Sequence, residues 1–466
     1  MRSVSMNPIE AGEQHFVELA EDVMGRLGPF LEQLAEGDAQ HPDPLGPDLV
    51  ESLQLGERPS GRSMVLDLVE RAARYGFETA GPRYFGYIPA GGLPSSAVAS
   101  LLTQVLNRYA TVADMAPGLV AIEESVLSWL CREFCLPEGS GGLLTTGGSN
   151  ATLTAMVAAR DAVMGDDHGN GVIYVSRHTH LCVAKSAHVA GISAARVRQV
   201  AVDDRLKMIP GDLDAQIERD RDAGFRPMMV VGTGGTTDSG TIDPLDQLAT
   251  TARRHNAWFH VDAAYGGAFQ LTESGRERLR GIEEADSITL DPHKGLFMPY
   301  GIGALLVKNT STLSAAHHIS GPYLQDLEGM NGLPDYSERG NELTREHRGL
   351  RMWLPLRLHG VAAFREVLDE RLRLAQHVYE TLRAEHWLEL PWKPDLSTVV
   401  FACRAGDEST RKMFQKIRDD RRFLLTSTAI GGRFYIRVCV LSFRTGRTHV
   451  NELLHSIVRL GPDRGH

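Results

Sequence analysis

Apolar residues recur at helical spacing from Gln14 to Glu36 and again from Met64 to Phe77, with the Pro- and Gly-rich stretch His41 to Gly61 between them. A stripe of that period is what an amphipathic helix needs to bury one face, so the N-terminal region reads as a helical arm. Beyond it the pattern changes. Helical periodicity at 94–107, 118–135, 150–164, 180–190 and 244–255 alternates with short apolar runs at 171–176, 227–233, 257–262, 286–291 and 303–307. Such alternation predicts a mostly parallel sheet covered on both faces. The charged stretch Gln270 to Glu284 has the length of a crossover helix. From about Leu354 a long amphipathic helix leads to STVVFAC and RFYIRVCVLS, two strand patterns. The divisions are a helical arm over 1–83, a large α/β domain over 84–353 and a small C-terminal α/β domain over 354–466. No internal repeat or low-complexity segment interrupts them.

Composition narrows the classes. A chain of 466 residues exceeds what one core serves. With 42% hydrophobic and 23% charged residues it is an ordinary globular composition. The net charge of −10 argues against nucleic acid and anionic membrane surfaces as partners. No apolar run approaches a membrane span, and the start MRSVSMNPIEAGEQHF lacks the core of a signal peptide, so the cytoplasm is the expected compartment. Five cysteines without paired spacing form no disulfide framework. Cys131 and Cys135, four apart on one predicted helix, read as buried thiols. His178, His180, His317 and His318 come nearest to ligand spacing, yet no carboxylate or cysteine falls at a recurring metal interval, and no metal is expected.

The chemistry concentrates at strand ends. Asp262 closes the run AWFHVD and Lys294 follows the run DSITLDPHK. In an open parallel sheet, ligands bind at the carboxyl ends of strands. An amine and a carboxylate placed there suit an aldehyde cofactor with a pyridine ring: the amine holds the aldehyde, and the carboxylate keeps the ring nitrogen protonated. That cofactor is pyridoxal 5'-phosphate. To attack, the Lys294 amine must be neutral, which predicts a pKa lowered by desolvation and nearby positive charge. LLTTGGSNATLTAM, 143–156, is a strand-like entry, a Gly-Gly turn and a helix, and amides at such a helix start make an anion site, although Ser149 is also an ordinary N-cap. His180 follows the strand IYVSR and starts a helical stretch; an imidazole there can stack on a pyridine ring or merely cap the helix. GTGGTTDSG, 232–240, follows no dinucleotide fingerprint.

HVDAAYGG followed by DPHK resembles the group II pyridoxal phosphate amino-acid decarboxylases, the family of aromatic-L-amino-acid, histidine, glutamate and cysteine-sulfinate decarboxylases. The match runs from about Tyr84 to Trp353, with a weaker echo near Arg437. The resemblance implies a fold-type I transferase fold with a seven-stranded, mostly parallel sheet, and a homodimer whose active site lies at the subunit interface. It implies that Gly148, Ser149 and His293 bind the cofactor phosphate and that Asp291 of the DPHK motif also contacts the cofactor. It further implies that Thr236 lies near the ring edge and that His180 stacks opposite Ala264. In the stretch from His317 to His347, poor in apolar residues, it implies a tyrosine that helps protonate the carbanion; an ungapped count back from Trp353 selects Tyr336. Substrate contacts fall on Tyr87, Pro89, Tyr109, Thr111 and Arg437, the last alternatively paired with a core carboxylate. Gly295, Thr111 and Ala90 depart from common family residues, which weakens an aromatic substrate without touching the decarboxylation. The reaction implied turns an L-amino acid into its amine and CO2. Oxidative decarboxylation to an aldehyde, a retro-aldol or carbon–sulfur lyase, and a cofactor-binding protein without turnover are the alternatives.

Overall fold

The computed structural model describes residues 12–39, 44–88, 91–318 and 332–461. Its centre is a seven-stranded sheet built from β1 (Gly141–Thr145), β2 (Gly171–Ser176), β3 (Val197–Val200), β4 (Arg226–Thr233), β5 (Trp258–Asp262), β6 (Ser287–Leu290) and β7 (Gly303–Val307). The spatial order is β1-β7-β6-β5-β4-β2-β3. Only β7 runs against its neighbours, β1 and β6; the other pairings are parallel. Six strands therefore bring their carboxyl ends to one edge. All residues of β1, β2, β5, β6 and β7 are buried, which is why they read as continuous apolar runs. The helix Gly148–Met164 packs across β4, β5, β6 and β7.

The predicted strands and helices of this domain fall within about two residues of the observed ones, the usual uncertainty of helix ends. Several expectations need correction. Gln270–Glu284 is not one crossover helix but a 3₁₀ turn ending at Leu271, a short helix Glu273–Arg278 and a second 3₁₀ turn Ile282–Glu284. Gly281, at φ +96°, interrupts it. Similarly, the long helix after Trp353 is two helices, Gly349–His359 and Val361–Arg383, separated by Gly360 at φ +74°. Cys131 is buried, but Cys135 lies past the helix end with positive φ and is exposed.

The C-terminal region carries a second core. β8 (Leu388–Glu389), β9 (Thr398–Cys403), β10 (Thr426–Ile430) and β11 (Arg433–Cys439) form an antiparallel sheet in the order β10-β11-β9-β8. The helix Val361–Arg383 and the helix Arg447–Arg459 cover it, with Val378, Leu382, Phe401, Ile436 and Leu453 among its buried contacts. Phe85 belongs to this core and not to the large one: its N–H donates to the Leu424 carbonyl (2.9 Å), and its carbonyl accepts from Cys439 (2.9 Å). The segment from Arg83 to Phe85 therefore pairs with the small sheet, and a division at residue 84 cuts through it. Backbone groups buried between the domains need partners, and this strand-like segment finds them there.

Candidate active site

The shared edge of the sheet gathers the candidate residues. Gly147 to Asn150 follow β1, Arg177 to His180 follow β2, Gly234 to Thr236 follow β4, Ala263 and Ala264 follow β5, and Asp291 to Lys294 follow β6. Backbone bonds stitch these turns together. The N–H of Gly234 donates to the Asp262 carbonyl (2.8 Å), that of Ala263 to Thr289 (3.0 Å) and that of Asp291 to Ala264 (3.2 Å). A cavity of about 290 Å³ opens here, lined by Gly148, Ser149, His180, Ala264, His293 and Lys294 together with Thr146, Gly147, Asn150, Cys182 and Asp291.

Lys294 sits on the single helical turn Pro292–Gly295, its Nζ 3.0 Å from Asp291 Oδ2. Burial works against its charge, but Asp291 and then Asp262 outweigh that, and its pKa is raised above the usual lysine range. This corrects the expected lowering: the groups facing the amine are carboxylates. Asp262 is buried at the end of β5, its Oδ1 accepting from the Ala264 N–H at 3.1 Å. His293 Nδ1 donates to the Ile302 carbonyl at 2.6 Å, which fixes the proton on that nitrogen, and burial lowers its pKa. His180 is both things the sequence allowed. It caps the helix Leu181–Val189, its Nδ1 accepting from the Cys182 N–H at 3.2 Å, and it lines the cavity. A neutral ring with Nδ1 accepting carries its proton on Nε2.

The pocket suits a phosphorylated pyridine aldehyde. Gly147, the N-cap of the helix Gly148–Met164, has no side chain to satisfy the first amides, leaving an anion-seeking helix start beside Ser149. A Cβ at Gly148 would stand 2.9 Å from Asp291 Oδ2, so only glycine lets the carboxylate approach this turn. Among the described residues the Oδ1 of Asp291 is buried without a partner. An amine, a carboxylate, two imidazoles and an uncapped helix start thus converge on one cavity, with Asp262 buried at the strand end beside it. Thr236 is buried at the same edge but does not line the cavity: its Oγ1 lies 2.9 Å from Ser239 Oγ and accepts from the Thr241 N–H at 3.0 Å, closing its own turn.

Other candidates lie elsewhere. Tyr336 is 1% exposed; its hydroxyl donates to Glu124 Oε1 at 2.8 Å, and the Arg345 guanidinium covers its ring 4.3 Å from the centroid. Arg345 pairs with buried Glu123, and Arg345 and Arg348 both donate to the Leu144 carbonyl (3.2 Å each), clamping this segment to β1. A side chain walled in this way cannot deliver a proton to the cavity, so its assignment as proton donor is corrected. Thr111 is fully buried in the same cluster. Its Oγ1 accepts from the Arg345 N–H (3.2 Å) and its carbonyl from the Tyr336 N–H (2.8 Å), which removes it as a substrate contact. Among the described residues Arg437 meets no core carboxylate. Its Nε donates to the Asp238 carbonyl (3.0 Å), its Nη1 to Thr426 Oγ1 (3.0 Å) and its Nη2 to the Thr237 carbonyl. Tyr109 donates to the Leu343 carbonyl (2.7 Å), and Tyr87 is exposed at φ +38°. Pro89 and Tyr323, the other tyrosine of the loop stretch, lie outside the described residues. Of the histidines at ligand spacing, His178 meets Asp238 and His318 meets Glu338. Cys182 is a cavity residue that sequence reasoning missed. Burial, with the negative Asp262 nearby, pushes its thiol up to about 12, and nothing in its local pattern distinguishes it from a core cysteine.

A seven-stranded α/β sheet with lysine, aspartate and a glycine-led helix start at one edge defines a fold-type I pyridoxal phosphate enzyme. Comparison narrows this. The pyridoxal-dependent decarboxylase conserved domain matches residues 49–404, and the chain belongs to that family. The aromatic-L-amino-acid decarboxylase of Bacillus atrophaeus is 32% identical over 392 residues, covering 82% of each chain. The 4-hydroxyphenylacetaldehyde synthase of Rhodiola rosea is 27% identical over 391 residues, covering 80% of this chain and 79% of its own. The crystal structure of mouse CSAD superposes with a TM-score of 0.89 at 26% identity, covering 97% of this chain and all of that one. The protein is a pyridoxal phosphate-dependent amino-acid decarboxylase, a carbon–carbon lyase that releases CO2.

Proposed function

We propose that the chain decarboxylates a free L-amino acid to its primary amine, with Lys294, Asp262 and His180 as the working groups. The convergence of the Lys294 amine, Asp291 and the uncapped helix start on one cavity carries this reading. Bound at the site, pyridoxal phosphate supplies a ring that accepts the electron pair left when CO2 departs. The amides of the Gly148 helix start, Ser149 and His293 would hold its phosphate, and Lys294 its aldehyde. Asp262 would keep the ring nitrogen protonated, and Asp291 would orient the amine. Ala264 and His180 line the same cavity and would border the ring, and the His180 Nε2–H could donate to a substrate carboxylate. The proton that replaces CO2 needs a donor other than Tyr336; within the His317–His347 stretch that leaves Tyr323, which we assign to this role.

Dimerisation belongs to the same proposal. The helix Glu13–Gln33 has no buried residue, and Phe16, Leu27 and Phe30 on it are exposed, as are Val98, Leu101, Leu102 and Val105 on the helix Pro94–Leu106. Apolar area of this extent marks an interface, and a second copy of the chain is the occupant we assign, working in the cytoplasm. Among the described residues no helix is long and apolar enough to cross a membrane.

The substrate side chain is read by experiment. Each of the twenty common amino acids, offered to the purified holoenzyme, is scored for CO2 and amine; at least one is expected to give both in equal amounts. Aldehyde and ammonia in place of amine would instead favour the oxidative reaction, which the likeness to the aldehyde synthase keeps as the second reading. Retention of CO2 release in Lys294→Ala would overturn the site.

A further inference from the structure

Where β2 and β4 end, a histidine–aspartate pair stands outside the reaction as described. His178 Nδ1 lies 2.5 Å from Asp238 Oδ2, and the His178 side chain is 7% exposed. Its Nε2 is buried without a partner among the described residues. The Asp238 carboxyl is held below the usual carboxylate range: burial opposes its charge, and the hydrogen bond and charge of His178 more than offset that. An ionised carboxylate on an imidazole makes a charge-assisted bond, shorter and more directional than a neutral one. A buried pair with one nitrogen left unbonded is a poor stabiliser compared with apolar packing. Its geometry is therefore the informative part.

Each end of the pair is tied to something else. On the His178 side, its own N–H donates to Ser176 Oγ (3.2 Å) and the Ser176 N–H to Thr179 Oγ1 (3.0 Å), a tight loop that delivers His180 to the cavity two residues on. On the Asp238 side, Arg437 of β11 grips the carbonyls of Thr237 and Asp238, and Asp395 Oδ2 accepts from the Ile242 N–H at 3.0 Å. The small domain thus holds the Thr236–Ile242 turn at two points, and the turn holds the His180 loop through the His178–Asp238 hydrogen bond. The charged groups around the pair are Arg437, whose guanidinium faces the turn, and Asp243, which lies within electrostatic reach of His178.

We propose that His178 and Asp238 are positioning residues for His180, transmitting the small domain's grip on the turn to the imidazole over the cavity. This rests on the assignment of His180 to the active site. His178→Ala and Asp238→Ala, compared with His178→Gln, whose amide can still donate to Asp238, test it in the holoenzyme. Turnover, KM and the visible circular dichroism of bound pyridoxal phosphate, which reports how the ring is held, are measured. Both alanine variants are expected to lower kcat about tenfold with a smaller change in KM, and to alter the dichroism, while His178→Gln restores most of both. On a His180→Ala background, His178→Ala should add nothing further to either readout, as for residues acting through one another. A pair that only stabilises would lower Tm and leave kcat and dichroism unchanged, overturning the proposal; full additivity in the double variant would overturn it too. Wild-type turnover and dichroism in His180→Ala alone would remove the assignment of His180 itself, and the proposal with it.

Discussion

Lys294 shows how one side chain is governed by its neighbours. Burial is the largest single influence on its amine and opposes the charge, yet Asp291 and Asp262 together outweigh it and raise the pKa. Tyr336 shows the same dependence on surroundings from the opposite side: burial and then the negative Glu123 and Glu124 push its phenol well above the usual range, so it resists giving up a proton at any working pH. Tyr336→Phe removes one hydrogen bond to Glu124 and keeps the ring under Arg345. It is expected to lower stability by about 1 kcal/mol, read from urea unfolding, with the amine yield unchanged. In Tyr323→Phe the fold should be undisturbed, and product should be diverted from amine towards aldehyde and ammonia. The reverse pattern would return the proton donor to Tyr336.

At the scale of the element, β5 carries a titrating group in its middle. His260 is fully buried, its Nδ1 2.8 Å from Ser287 Oγ, and burial lowers its pKa to about 4. An unfolded histidine takes up its proton near pH 6.5. The folded protein is therefore most stable with respect to this group above pH 6.5 and loses that stability as pH falls towards 4, by on the order of 3 kcal/mol. Asp243 acts in the opposite sense. Burial raises its carboxyl to about 6 against an ordinary 3.8, so acidification between those values favours the folded form. His260→Gln should flatten or reverse the loss of unfolding free energy between pH 6.5 and 4, measured by urea titration at several pH values. An unchanged slope would place the acid lability elsewhere.

For the whole molecule the open question is what covers the exposed apolar helices at the N-terminal side. Leu101 and Val105 stand one turn apart on the helix Pro94–Leu106, and both are about half exposed. Two glutamates there would bury charge in a dimer interface and cost nothing in a monomer. The double variant Leu101→Glu, Val105→Glu is expected to sediment as a monomer with activity largely lost, where the unaltered protein sediments as a dimer. A wild-type monomer at micromolar concentration would contradict the proposed assembly. The two cores meet around Tyr265, whose hydroxyl lies 2.8 Å from Ser397 Oγ and accepts from the Ser397 N–H at 2.9 Å, so the small domain buttresses the strand end that carries Asp262.

The sequence by itself determined most of the sheet and the chemistry at its edge, but not β3, which is only partly buried. Apolar runs alternating with amphipathic helices force parallel strands, and parallel strands bring Gly148, His180, Asp262 and Lys294 to one side whatever the loops do. Local signals of period and turn chemistry suffice for that. The tertiary structure alone decided what faces each group. Arg437 reaches carbonyls about 200 residues away in sequence, Tyr336 reaches Glu124 across a similar span, and Phe85 joins the C-terminal core. Counting residues back from Trp353 locates Tyr336 along the chain but carries no information on its neighbours in space. Burial, partner and pKa are set by contacts between distant segments, which is why the residues whose roles were corrected are those held by long-range hydrogen bonds, while those carried to the edge by their own strand stayed in place.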